Sequence, residues 1–82
     1  HLVDERERVV ARLHELGYNI PQTYANFVWI PLGEHTAEFT ELARANALAV
    51  RAFDSEGVRV SIGEDEANDR FISICEHFPH RV

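Results

Sequence analysis

Residues 26–30, Asn-Phe-Val-Trp-Ile, form an aromatic and β-branched run stopped by Pro31-Leu32-Gly33, and a run of this kind specifies a short strand. Side chains alternate across a strand, so Phe27 and Trp29 take one face and Val28 and Ile30 the other. Both faces are apolar, and a strand like that needs cover on both sides. In a chain of 82 residues, helices can cover one face, and little sequence remains for the second. The strand therefore points to a sheet backed by helices on one side, with an outer face that expects a partner.

The rest of the chain supplies those helices. Val9, Val10, Leu13 and Leu16 recur at helical spacing and predict a helix over 3–16, with Glu5, Arg6, Glu7, Arg8, Arg12 and Glu15 on its polar faces. Gly17 stands where a left-handed C-terminal cap belongs, and 18–22 is a connector. Thr36 is the expected N-cap of a helix over 37–46 that turns Phe39, Leu42 and Ala43 inward. Residues 48–53 and 58–62 read as two more strands, joined by an Asp-Ser-Glu-Gly turn at 54–57. In the last strand Val58, Val60 and Ile62 share one face, and Arg59 and Ser61 the other. Asp65 is the expected cap of a final helix over 66–78 that buries Ala67, Phe71, Ile74, Cys75 and Phe78. The order α-β-α-β-β-α predicts one α+β domain. Its first two strands and crossover helix form a right-handed unit, and the third strand returns antiparallel between them as in split βαβ sheets.

Composition narrows the function. The net charge is −6, which argues against nucleic acid and against an anionic membrane surface as partners. No apolar run approaches the roughly 20 residues of a membrane span, and the N-terminus is too charged for a signal peptide. Cys75 is the only cysteine, so no intrachain disulfide forms, and a lone thiol suits a reducing, cytoplasmic setting. All eight basic residues are arginines. With no lysine, the chain alone cannot run chemistry that needs a lysine amine.

Arg59 is the leading site candidate. A guanidinium rooted on a central strand is rigidly placed and fits a carboxylate or phosphate bidentately. The pattern alone also admits the commoner case of a solvated arginine on an open sheet face. Arg51, on the neighbouring strand, has the same character, and the two are either an anion-binding pair or two surface charges. Cys75, His77 and His80 match no standard zinc spacing, and Cys75 falls on an apolar stripe, so no metal site is expected there. His14 and His35 read as isolated surface residues. The acidic run Glu64, Asp65, Glu66 and Asp69 complements the dipole at a helix start and suggests no acid–base pair.

Several of these stretches form a familiar series. Residues 25–30, Ala-Asn-Phe-Val-Trp-Ile, with Pro31-Leu32-Gly33, resemble the strand that opens the C-terminal small domain of histidinol-phosphate and aromatic aminotransferases. Val50-Arg51-Ala52-Phe53 and the run 56–63, Glu-Gly-Val-Arg-Val-Ser-Ile-Gly, resemble the hairpin that follows, and Glu66-Ala67-Asn68-Asp69 resembles the start of that domain's last helix. The resemblance covers nearly the whole chain, and the Pro-Leu-Gly-Glu-His-Thr stretch looks more like actinobacterial aromatic aminotransferases than histidine-pathway enzymes. It implies a pyridoxal-phosphate-dependent transaminase acting on aromatic amino acids or histidinol phosphate, with 2-oxoglutarate and glutamate as partner pair. Arg59 would bind the substrate's carboxylate or phosphate, with Arg51 a weaker candidate. The cofactor and catalytic lysine would lie in a large domain absent from these 82 residues, so the piece alone is expected to be inactive. That large domain would cover the outer sheet face, and the enzyme would be a cytoplasmic homodimer. The alternative is a free-standing split-βαβ ligand-binding or regulatory module that pairs through its open sheet.

Overall fold

The structure is a computed structural model that describes residues 1–23 and 25–81. Helix α1 (Leu2–Glu15) leads to strand β1 (Phe27–Ile30), a 3-10 turn (Gly33–His35) and helix α2 (Thr36–Ala45). Strands β2 (Arg51–Phe53) and β3 (Gly57–Ser61) form a hairpin, and helix α3 (Asp65–His77) closes the fold. The sheet order is β1-β3-β2 with β3 antiparallel to both neighbours, so the last strand in sequence is the central one, as the sequence reading expects.

Val28, Ile30, Val58 and Val60 point to one side, each at most 1% exposed, and pack with Val9, Leu13, Phe39, Ala43, Phe71 and Cys75 of the helices and with Phe78 just beyond α3. Helix α1 ends at Gly17, whose φ of 98° is the left-handed value a glycine tolerates. There the Tyr18 amide bonds the Leu13 carbonyl and the Gly17 amide bonds that of His14, the paired bonds of a Schellman cap.

Several local expectations shift. Residues 48–50 are not strand, because the Leu48 amide is spent on the Ala43 carbonyl and the Leu48 side chain is buried beneath the end of α2. That helix end has the same double bond pattern as α1, but Ala47 fills the left-handed position at φ 58°. Gly57 belongs to β3 instead of the turn. A Cβ there would lie 2.2 Å from the Ile30 carbonyl oxygen and 2.9 Å from the Trp29 ring, so glycine is required by close approach. Thr36 is the first residue of α2 and not its cap, its hydroxyl donating to the Gly33 carbonyl at 2.7 Å. Asp65 likewise starts α3, with Glu64 preceding it and no side-chain cap.

The largest surprise is Glu5. It sits on the buried side of α1, 7% exposed, and accepts two 2.9 Å hydrogen bonds from Arg8 and one of 3.0 Å from the Asn68 amide. Asn68 is also buried, and it both donates to and accepts from the backbone of Gly63. The pair thus ties α1 to the loop leaving β3.

Candidate functional site

On the outer face of the sheet, the register sets Trp29 opposite Arg59 and Arg59 opposite Arg51, so the three side chains form a row across all three strands. Phe27 flanks the row beside Ser61, and Phe53 flanks it beside Gly57. Phe27, Trp29, Phe53 and Arg59 are half-buried, and Arg51 is exposed. The Trp29 ring crosses the gap left by Gly57 and meets Phe53 edge-on, with centroids 5.6 Å apart. The result is an aromatic floor with two cations on it.

The arginines do not converge into one cradle. The Arg59 guanidinium lies 5.2 Å from the Phe27 ring centroid and that of Arg51 lies 5.3 Å from the Phe53 centroid. Like charges opposite each other on adjacent strands repel, and each group instead stacks on a separate ring. The aromatic residues therefore keep the guanidinium groups oriented without occupying their N–H donors.

What sets Arg59 and Arg51 apart is the absence of a polar partner among the described residues. Arg8 pairs with Glu5 and Asp69, Arg12 with Glu15 and Glu76, Arg44 with Glu41, and Arg70 with Glu66. Arg81 donates to the Leu16 carbonyl, and Arg6 approaches that of Ala25. Carboxylate hydrogen bonds raise Arg8 and Arg12 above the ordinary arginine range. The two outer-face arginines keep their donors available to an incoming anion.

The remaining candidates do not assemble as a sequence motif. Cys75 is fully buried, burial pushes its thiol up to about 12, and the Tyr18 hydroxyl donates to its backbone carbonyl at 2.8 Å. His77 turns to the Ser73 carbonyl at 2.8 Å. His35 is not isolated, because His80 stacks on it. His14 is exposed, with one ring nitrogen 3.4 Å from the Ile20 carbonyl. The acidic residues at the start of α3 are largely paired: Asp65 with His1, Asp69 with Arg8 and Glu66 with Arg70. The burial of Glu5, placed on a polar face by its sequence, and its bond to Asn68 are what sequence reasoning missed. Glu5 precedes Val9 by four residues and Leu13 by eight, which places it in line with the buried stripe.

No protein-family model matches the chain. Similar proteins do. An aromatic amino acid aminotransferase of Streptomyces avermitilis is 52% identical over 77 residues, 94% of this chain and 21% of that protein. One from Thermobifida fusca is 48% identical over 79 residues, 96% of this chain and 22% of that protein. In fold, a crystal structure from Burkholderia pseudomallei, provisionally named an aminotransferase, superposes with a TM-score of 0.81 at 26% identity, over 92% of this chain and 24% of that one. The chain thus spans about a fifth of the length of the curated relatives it matches. By sequence and fold together, the chain is similar to one segment of the aromatic amino acid aminotransferases.

Proposed function

We propose that this chain is the C-terminal small domain of a transaminase acting on aromatic amino acids, and that Arg59 binds the carboxylate of the amino-acid or 2-oxo-acid substrate. Histidinol phosphate is the alternative substrate, in which case the same guanidinium meets the phosphate, and 2-oxoglutarate and glutamate form the partner pair. The observation that carries the reading is the Arg59 guanidinium, mounted on the central strand over an aromatic face with no polar partner among the described residues. An aromatic surround excludes water, and a planar guanidinium there meets a carboxylate through two parallel N–H bonds. Arg51 lies one strand further out, where it adds long-range attraction for the anion.

A transaminase needs pyridoxal phosphate, whose aldehyde is held by a lysine amine. This chain has none, so its residues do not fit the role of cofactor holder, and its part is substrate binding alone. The cofactor and lysine then belong to a large domain of the same enzyme, which also covers the face bearing Trp29 and Phe53. We assign the whole enzyme to the cytoplasm as a homodimer. No helix among the described residues is long and apolar enough to cross a membrane.

Steady-state kinetics of the full-length enzyme test this reading. Removing a desolvated charge partner costs about 2–5 kcal/mol, so Arg59→Ala is expected to lower kcat/KM by about 30-fold to several thousandfold. Arg59→Lys recovers only part of that, because an ammonium loses the fork. Wild-type kcat/KM in Arg59→Ala overturns the assignment.

A further inference from the structure

The tail after α3 is fixed on both sides of His80. Phe78 is buried and meets Phe39 edge-on at 5.1 Å between centroids, and Arg81 donates to the Leu16 carbonyl at 2.8 Å while lying over the Tyr18 ring. Between these anchors the His80 ring stacks on His35, with centroids 3.7 Å apart and planes within 10°. Nε2 of His80 lies 3.1 Å from Oε1 of Glu38, in the first turn of α2. His35 is held by the 3-10 turn, where its amide bonds the carbonyl of buried Leu32 at 3.0 Å. One ligand atom from each of His35, Glu38 and His80 therefore lies within 4.8 Å of the others. Glu34 borders the group, its carboxylate 3.8 Å from His35 Nε2.

Two imidazoles and a carboxylate are the donor set of borderline divalent cations, zinc foremost. With Glu34 alongside, two carboxylates balance the charge of a dication bound by neutral imidazoles. His35 and Glu38 sit three residues apart at the start of α2, and packing has already brought His80 to them from 42 residues further on, so binding need not order the tail first. Bonds of 2.0–2.1 Å at tetrahedral angles need ligand atoms about 3.3 Å apart, a closure of about 1.5 Å at most from the observed spread. A metal lies in the plane of each imidazole that binds it, so the two rings must also turn out of their parallel stack, and neither of them is buried.

We propose that His35, Glu38 and His80 form a zinc-class cation site, completed by water, that clasps the tail after α3 to the start of α2. It stands independently of the aminotransferase reading. The test uses the full-length protein, stripped with a chelator and titrated with zinc chloride by calorimetry, with the histidine ring nitrogens followed by NMR. The expected result is a zinc site whose affinity falls about tenfold or more in both His35→Gln and His80→Gln. His77→Gln, at a ring facing the Ser73 carbonyl, should leave it unchanged. No zinc binding by the wild-type protein, or unchanged affinity in both glutamine variants, overturns the proposal. Should a variant fail to fold, the wild-type spectrum decides: His35 and His80 resonances unmoved by zinc also overturn it.

Discussion

Gly57→Ala is the sharpest probe of how the outer face is built. The new Cβ would stand 2.2 Å from the Ile30 carbonyl oxygen, against the roughly 3.3 Å of a close C···O contact, an overlap of about 1 Å. That oxygen cannot swing away freely, because it accepts the Leu32 amide at 3.0 Å and ends β1 where Ile30 pairs with Val58. The Trp29 ring blocks the other side at 2.9–3.0 Å. Overpacking of this kind costs about 1–3 kcal/mol, and prying β1 from β3 sacrifices a ladder bond at about 1 kcal/mol. The stiffer unfolded chain returns about 0.4–1 kcal/mol, leaving a net loss of about 2 kcal/mol. Hydrogen exchange of the peptides covering β1 and β3 reads this locally, and about 2 kcal/mol corresponds to roughly 30-fold faster exchange where both report the same opening. Gly63→Ala is the control, since a Cβ there meets nothing within 4 Å and its exchange should match the parent or slow slightly. Exchange in Gly57→Ala within threefold of wild type would refute the close-approach account.

Two further predictions concern α1 and α2. Hydrogen bonds from Arg8 and then Asn68 hold the Glu5 carboxyl at about 2, below its ordinary 4.5. A carboxyl held down in the folded state stabilises above its ordinary value and loses that contribution as pH falls from about 4.5 toward 2. Glu5→Gln should therefore lower the thermal midpoint at neutral pH and flatten its fall across that acid window; an unchanged acid profile would count against the buried network. Ala47 sits in the left-handed region at φ 58°, a cost of about 1–2 kcal/mol for a side-chain-bearing residue, offset by about 0.4–1 kcal/mol of flexibility that glycine adds to the unfolded chain. Ala47→Gly should stabilise by about 0.5 kcal/mol in urea denaturation, and a loss of stability would contradict it.

The aminotransferase resemblance and the α+β order were legible because they rest on local signals. The β-branched run ending at Ile30, the glycine at position 17 and the helical spacing of Val9 and Leu13 each act over a few residues. The central placement of β3 followed too, since a short hairpin leaves few ways to pair three strands. Sequence also singled out Arg59 as strand-borne and outward-facing. Element edges were harder, because they depend on which group takes an amide. Leu48 belongs to a helix cap because Ala43 accepts its N–H, and no propensity records that.

What only the tertiary structure decided is which distant groups meet. Glu5 and Asn68 are 63 residues apart, and their hydrogen bond becomes visible only once α1 packs against α3. His80 reaches Glu38 across 42 residues, and its stack on His35 depends on Phe78 and Arg81 pinning the tail. That Arg59 and Arg51 lack carboxylate partners among the described residues is likewise a tertiary fact, since the chain's 14 acidic side chains are distributed elsewhere in space. Periodicity specifies which face a side chain takes, because it follows the pitch of its own element. Pairing between elements depends on how their faces pack, and the amino-acid pattern carries that only through the completed core.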